Sequence, residues 1–318
     1  MKTLVYITSF RDISQADIAQ IEEKYLHEWR KFGQIFGIRF LAIDMGDLEL
    51  HVADGSRLLH KGTNLLRADH AFMVSNLSMQ PYSRAFMETL SCAIGSSPAL
   101  LLNSTLKKGF GLEDNKFVSQ LIVASLGIPY IPTFAVPPMP NVREAVNRIG
   151  TILGRGPYIL KPTALAAGIS VLKVDTEEML MSAMDMCTAT SVGYIVQPFL
   201  SDVDDLRVYI LDGNIEAVQR RRPLKGNVLA NQSRGASRVS DSVPHDLLAS
   251  CLRICSHLSA EYLCIDWLVR GEIYMFNEWC TIMGGFSGLS APDRDRFGRL
   301  LFRWIANRID ENSSRFRC

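Results

Sequence analysis

Five short apolar segments of this sequence each carry or end in one polar or charged side chain, namely Lys161, Gln197, Arg207, Asp266 and Glu278. A buried charge persists in a folded protein when it is paired, hydrogen-bonded or bound to a ligand or metal. Because cations and carboxylates are both dispersed over these segments, they indicate one site that binds phosphate and a divalent metal together.

The segments have the patterns of β-strands. Two apolar runs lie in PYILKPTALAAGISVLKV, and a third is YIVQPFL. The segment DDLRVYILDGNIEAVQRRR alternates on both sides of Asp212-Gly213, which predicts a hairpin with a two-residue turn. The segment YLCIDWLVRGEIYMFNEWC predicts a second hairpin, which turns near Arg270-Gly271. The first hairpin therefore carries Arg207, and the second carries Asp266 and Glu278.

Composition excludes several classes of protein. A chain of 318 residues is long enough for two or three domains. Its 34 basic and 33 acidic side chains nearly cancel, which gives no support for nucleic-acid binding. The seven cysteines include no CxxC pair, which favours reduced thiols in the cytoplasm. The first apolar run is too short for a signal peptide, and no run approaches the length of a membrane span.

The first third of the chain reads as β-α-β. A strand from Thr3 to Ser9 precedes a long helix that ends near Phe36, and Ser14 with Asp17 resembles its capping box. The polar segment from His51 to Gly62 matches no single pattern. Strands that alternate with helices predict a small open sheet. A linker is expected at STLKKGFG, so we expect domains at residues 1–104, 105–190 and 191–318.

The order of the motifs carries a resemblance. From about Leu100 to Gly285, the succession LLN, DNK, LGIPYIPT, ILKP, YIVQPFL, DLRVYILDG, RRR, CIDWL and NE resembles the ATP-grasp fold. Glutathione synthetase and the ribosomal-protein glutamate ligases are its nearest relatives on this basis. The resemblance implies an α/β (α+β) protein in which two α+β subdomains sandwich the nucleotide, preceded by a small open-sheet N-terminal domain.

The resemblance also implies ATP with Mg²⁺, or Mn²⁺ in its place, as cofactors. It assigns Lys116 and Lys161 to the ATP phosphates and Gly168 to the loop that covers them. It assigns Asp205 to the ribose or the metal, and the adenine edge to the backbone of Gln197, Pro198, Phe199 and Leu200. Taken alone, Lys116 is typical of an exposed lysine at a helix start. Asp205 alone is equally typical of a solvated loop aspartate.

The arginines of the first hairpin are catalytic candidates. Relatives use arginines here to stabilise the transferred phosphoryl group, which implies roles for Arg207 with Arg221 or Arg222, and Asn231 follows them. Residues equidistant from a tight turn face each other, so strict pairing sets Arg207 opposite Val218. Arg222 then shares the face of Arg207, and Arg221 shares it only after a β-bulge. The alternative is an exposed basic turn.

Asp266 and Glu278 are the candidate metal ligands, because carboxylate oxygens suit Mg²⁺. Relatives add an asparagine two residues after the glutamate, where this chain has Cys280, and a thiol is a poor ligand for magnesium. Regular alternation points Asn277 to the other face. Three interpretations stay open: water fills the position while Asp266, Glu278 and Asn231 suffice, which we favour; a bulge turns Asn277 round; or the site is weakened.

The implied activity is that of an ATP-dependent, ADP-forming carboxylate–amine ligase. A substrate carboxylate attacks the γ-phosphate to give an acyl phosphate, and an amine then displaces phosphate to form an amide or peptide bond. The expected partners are small-molecule or peptide carboxylates and amines, with no nucleic acid and no membrane, and a homo-oligomer is compatible with the sequence. The alternatives are a kinase of the same fold and a non-catalytic ATP-binding protein.

Overall fold

The computed structural model describes residues 1–12, 18–19, 21–53, 55–75, 81–109, 112, 115–138, 141–164, 168, 170–189, 192–222, 237–240, 244–281 and 286–316. Within these ranges the chain builds sheets of four, four, five and three strands, each of the three larger ones packed against helices. No described helix combines the length and the apolar character needed to cross a bilayer.

The N-terminal unit is a parallel sheet in the order β2-β1-β6-β7. Its strands are β1 (Thr3–Thr8), β2 (Arg39–Asp44), β6 (His70–Val74) and β7 (Leu100–Leu101). Every residue of β1 is buried, because this strand lies inside the sheet with both faces covered. The helices α1 (His27–Ile35) and α2 (Pro81–Gly95) belong to this unit, and α1 follows a π-helical turn at Glu22–Leu26. The predicted open sheet is confirmed, while Ser14 and Asp17 lie outside the described residues.

Two segments of this unit differ from expectation. The stretch that had no assignable pattern forms an antiparallel sheet of β3 (Leu48–Ala53), β4 (Gly55–His60) and β5 (Thr63–Asn64). The expected linker begins with a 3₁₀ helix at Ser104–Lys108, so it is structured. Thr105 is buried in this helix and donates a hydrogen bond to Thr281 at 3.1 Å, which ties it to the C-terminal unit.

The central unit is an antiparallel sheet in the order β10-β9-β11-β8. Its strands are β8 (Phe134–Ala135), β9 (Tyr158–Pro162), β10 (Leu172–Val174) and β11 (Tyr194–Pro198). The helices α4 (Val142–Leu153) and α5 (Glu177–Thr188) pack on it through one apolar cluster. The strand β11 lies beyond the boundary expected at residue 190, and the domain limits stay a prediction.

The C-terminal unit is a five-stranded sheet in the order β14-β13-β12-β15-β16. Its strands are β12 (Asp204–Leu211), β13 (Asn214–Arg222), β14 (Ser237–Ser240), β15 (Tyr262–Arg270) and β16 (Ile273–Cys280). Both predicted hairpins are therefore present, as β12–β13 and β15–β16. The helices α3 (Lys116–Ser125) and α6 (His245–Leu258) share an apolar cluster with one face of this sheet.

The opposite face of the C-terminal sheet is divided along the strands. One half is apolar and joins the largest core cluster through Tyr209, Tyr262 and Cys264. The helix α7 (Ala291–Arg315) completes that cluster together with α1 of the N-terminal unit, and Gly298 lies directly against the ring of Phe32. The other half of the face is polar, and it carries the side chains described next.

Candidate functional site

The polar half of the C-terminal sheet is built around one bidentate ion pair. Arg207 on β12 donates from Nε and Nη2 to the two carboxylate oxygens of Asp266 on β15, at 2.7 and 2.6 Å. These residues are direct cross-strand partners, so the sheet register itself brings them together. The planar guanidinium matches the carboxylate, which gives a strong and directional contact.

A β-bulge at Glu216 decides which second arginine joins this pair. Between Tyr209 and Ile210 the β12–β13 register shifts, so Arg207 faces Gln219 and Asp205 faces Arg221. Of the two registers that the sequence left open, the structure has the bulged one, because β13 contains one extra residue. Arg221 contacts Asp205 and lies 3.0 Å from Asp266.

The bulge also moves Arg222 away from this face. Its side chain is 60% exposed, and it pairs with Asp204 at 3.2 Å. The position expected for Arg222 is thus corrected by the register shift. Asp205 is likewise not a solvated loop aspartate, because it is buried in an ion pair.

Burial and charge act in opposite directions on the two aspartates. Burial alone would raise the pKa of Asp266, but Arg207 and Arg221 outweigh it and hold that pKa below its usual range. Burial raises the pKa of Asp205, and the adjacent charge of Asp266 adds to this, although Arg221 opposes it. The network therefore keeps a fixed negative charge on Asp266, while Asp205 is the more easily protonated member.

Two lysines from outside the C-terminal sheet approach its polar half. Lys116 lies at the start of α3, with its Nζ 3.5 Å from Oε2 of Glu278, and Lys161 lies on β9. The Lys116 amide donates to the Thr163 carbonyl at 2.8 Å, which fixes the helix start beside β9. Lys116 is therefore a partly buried, ion-paired residue.

Lys161 is buried, and its Nζ donates to Oδ1 of Asn277 at 3.0 Å. Burial lowers the pKa of Lys161 to about 8, although the negative charge of Glu278 opposes this shift and Lys116 adds to it. An anion that replaced the missing solvation would favour the charged ammonium. This geometry suits a phosphate group.

A second bulge lies in β16. Asp266 pairs with Glu278, but Trp267 pairs with Phe276, so Asn277 is an extra residue. Phe276 and Trp279 accordingly both pack in the helix-covered core although three positions separate them. Asn277 and Glu278 both point towards lysines as a result. The bulge therefore turns Asn277 towards this face, as one of the three open interpretations requires, and the group that completes a metal site stays a prediction.

Cys280 lies next to the apolar half of the face. It faces Cys264 on the neighbouring strand and packs against the apolar core cluster. The thiol therefore belongs to the apolar half of the face, beyond Glu278.

The segment expected to contact adenine connects the central and C-terminal sheets. Gln197 is buried, and its Nε2 donates to Oγ1 of Thr133 at 2.7 Å. The Phe199 amide donates to the Pro157 carbonyl at 2.9 Å. That amide is therefore already engaged, and the Phe199 carbonyl and the Leu200 amide are the next backbone groups along the chain.

Two expected residues remain to be located. Gly168 adopts φ = +73°, a conformation that glycine reaches without strain, in the segment between β9 and β10. Asn231 lies outside the described residues.

Sequence reasoning missed two amide side chains at the site. Gln219 is buried opposite Arg207 and donates from Nε2 to the Gly288 carbonyl at 2.5 Å. Gln120 is buried on α3 and donates to the Asn277 carbonyl at 2.9 Å. Asn277 was not missed, because a bulge that turns it round was one of the three open interpretations, and the structure has that bulge. An isolated amide in an otherwise apolar helix would have been the signal for Gln120, whereas Gln219 precedes the run of three arginines and gave no such signal.

The fold and this arrangement of basic and acidic side chains define an ATP-grasp protein. A model of the RimK-like ATP-grasp domain matches residues 113–283, and the chain belongs to this family. The match covers more than half of the sequence and includes the described cationic and acidic side chains.

Individual relatives are distant. A probable alpha-L-glutamate ligase of Mannheimia succiniciproducens is 24% identical over 161 residues, which are 49% of this chain and 52% of the relative. The chain thus matches only about half the length of that curated relative.

Among solved structures, D-alanyl-alanine synthetase A from Vibrio cholerae has a TM-score of 0.70 at 14% identity and covers 97% of this chain and 98% of its own. The macrocyclase MdnC from Microcystis aeruginosa, bound with precursor peptide MdnA, has a TM-score of 0.66 at 15% identity. The match covers 96% of this chain and 99% of the MdnC chain. These likenesses show the fold.

Proposed function

We propose that this protein is an ATP-dependent, ADP-forming carboxylate–amine ligase. The observation that carries the proposal is the convergence of four cationic side chains with three carboxylates between the central and C-terminal sheets: Lys116, Lys161, Arg207, Arg221, Asp205, Asp266 and Glu278. Such a group suits phosphoryl transfer, in which positioning and charge stabilisation supply most of the catalysis.

The two lysines and Arg207 hold the phosphate groups of ATP in this proposal. Lys161 is the strongest candidate, because its ammonium is buried and its neutral hydrogen-bond partner, Asn277, leaves its charge uncompensated by that contact. A phosphate oxygen supplies the missing charge. Lys116 reaches the same region from the start of α3.

Arg207 and Arg221 differ in exposure, and we assign them different roles for this reason. The side chain of Arg207 is 20% exposed, and Nε and Nη2 donate to Asp266. We assign its Nη1 group, which has no hydrogen-bond partner among the described residues, to the transferred phosphoryl group. Arg221 is 7% exposed and is enclosed by Asp205 and Asp266. It therefore positions Asp266 and contacts the phosphoryl group less directly.

The side chains present fit Mg²⁺. Asp266 and Glu278 are cross-strand partners that offer carboxylate oxygens. No group of three or more His, Cys, Asp or Glu side chains in the described ranges is arranged to hold a metal by itself. Mg²⁺ typically uses one or two carboxylates and completes its octahedron with phosphate oxygens and water, so a two-carboxylate site is appropriate. When bound, the ion neutralises charge that develops on the phosphates.

The substrates are a carboxylate and an amine, and either can belong to a small molecule or a peptide. Relatives with this fold are named as a glutamate ligase and a D-alanyl-alanine synthetase, and another is bound with a precursor peptide. The proposal includes a cytoplasmic setting, where cysteines stay reduced.

The first test is calorimetric titration of Mg-ATP into the wild-type protein and into Lys161→Ala. We expect magnesium-dependent binding that the substitution abolishes. Pairs of carboxylates and amines are then screened for ADP and free phosphate. Phosphorylated product without free phosphate would indicate a kinase, and nucleotide binding with no product from any pair would indicate a non-catalytic protein. An absence of nucleotide binding by the wild type would refute the proposal.

A further inference from the structure

The bulge in β16 gives Asn277 a place that regular alternation would deny it. Asp266 pairs with Glu278 and Trp267 with Phe276, so Asn277 has no partner of its own across the hairpin. In a bulge, two consecutive residues oppose one residue of the neighbouring strand. Asn277 and Glu278 both oppose Asp266 in this way, and both reach lysine side chains on the same side of the sheet.

Tertiary contacts hold this bulge in place. Gln120 donates from Nε2 to the Asn277 carbonyl at 2.9 Å, and the Phe276 amide donates to the Pro129 carbonyl at 2.9 Å. The strand β16 is at the edge of the sheet, so these contacts engage backbone groups of its outer side. The bulge is thus fixed by α3 and the residues that follow it.

The carboxylate of Asp266 has little capacity left for a metal ion. It already accepts from Arg207 Nε, Arg207 Nη2 and Arg221 Nη2, and a carboxylate offers about four acceptor positions. Glu278 is more open, because its side chain is 33% exposed and its ion pair among the described residues is a single lysine contact at 3.5 Å. A third protein oxygen beside Glu278 would therefore strengthen the site considerably.

Asn277 provides that oxygen, and Cys280 does not. The amide Oδ1 of Asn277 already accepts from a cation, the Lys161 ammonium, at 3.0 Å. Cys280 packs against the apolar core cluster and carries a soft thiol. Amide and carboxylate oxygens, in contrast, are ligands of hard divalent cations.

We propose that Asn277 is a ligand of the nucleotide-bound Mg²⁺ together with Glu278 and Asp266. When nucleotide binds, the Lys161 ammonium moves from Oδ1 of Asn277 to a phosphate oxygen. This inference rests on the proposed function. In this arrangement the asparagine that relatives have at the position of Cys280 is replaced by a bulged asparagine three positions earlier, directly before the glutamate.

The test measures Mn²⁺ affinity by electron paramagnetic resonance, in the presence of saturating non-hydrolysable ATP analogue. We expect Asn277→Ala to weaken Mn²⁺ binding by at least about tenfold, as losses at metal sites typically do. Asn277→Asp keeps an oxygen at this position and should retain the affinity. Cys280→Ala is the matched control from the same strand and should stay within about twofold of wild type, as expected of a residue outside the metal shell.

A second measurement separates metal ligation from an indirect effect through Lys161. The affinity for ADP in the presence of EDTA should be nearly the same in Asn277→Ala and wild type. An equal loss of metal-free ADP affinity would mean that Asn277 only positions Lys161, and wild-type Mn²⁺ affinity in Asn277→Ala would also overturn the inference. If the wild type binds no nucleotide, the proposed function itself fails, which is a different outcome.

Discussion

The buried lysine gives the sharpest quantitative prediction. Lys161 has its pKa lowered to about 8 chiefly by burial, and a bound phosphate would favour its charged form. The complex therefore binds a proton more tightly than the free protein. By linkage, nucleotide binding takes up a proton, and its affinity falls as the pH rises through about 8.

The magnitude follows from the two protonation equilibria. At pH 9 roughly 10% of the free protein carries a charged Lys161, given its pKa of about 8. If phosphate restores an ordinary lysine pKa of about 10.4, the complex is almost fully charged, and binding takes up roughly 0.9 proton. The apparent Kd for the nucleotide then rises about tenfold from pH 7 to pH 9.

Calorimetry in two buffers of different ionisation enthalpy measures this uptake directly. The titrant is a non-hydrolysable ATP analogue with Mg²⁺ at pH 9, where the γ-phosphate is already ionised. Lys161→Arg is the control, because its guanidinium stays charged and should bind with no uptake and no such pH dependence. Wild-type binding with an uptake near zero and a constant Kd would refute this account of Lys161.

Two further predictions concern stability, measured by denaturant unfolding. Arg221→Met removes the guanidinium that pairs with buried Asp205, while Asp266 keeps Arg207. It should lower the free energy of unfolding by about 3–5 kcal/mol, whereas exposed Arg222→Met should change it by less than about 0.5 kcal/mol. Equal effects would contradict the assigned register. Gly298→Ala places a Cβ against the Phe32 ring and should destabilise by about 1–3 kcal/mol. Gly95→Ala places a Cβ in ordinary contact with Lys107, 3.8 Å from Cγ and 4.0 Å from Cε, and should be neutral or stabilising. A neutral Gly298→Ala would mean that α1 and α7 can separate at little cost.

The strands of the site were predictable because their signals are local. Period-two alternation and the Asp212-Gly213 turn define the first hairpin, and the confirmed β12 and β13 follow from them. The order of the motifs was sufficient to identify the ATP-grasp family, which the match over residues 113–283 confirms. The segment from His51 to Gly62 failed because its hairpin residues are largely exposed and so lack an apolar period.

The ion pairs of the site could not be predicted from local sequence patterns. Lys116 reads as a surface residue from its local sequence, yet its side chain lies beside Glu278, more than 160 positions later. Asp205 reads as a loop aspartate and is buried against Arg221. Burial and pairing depend on which segments meet, and a local pattern does not contain that information.

The sequence by itself determined the inventory of the site: two lysines, the arginines, two metal-binding candidates and the strands that carry them. Tertiary structure decided which side chains share a face, because a single bulge inverts the alternation beyond it. The bulged carbonyls of Glu216 and Asn277 are bound by Arg296 and Gln120, which lie far away in the chain. Arg221 and Asn277 therefore reach the site because distant parts of the chain supply the hydrogen bonds that stabilise each bulge.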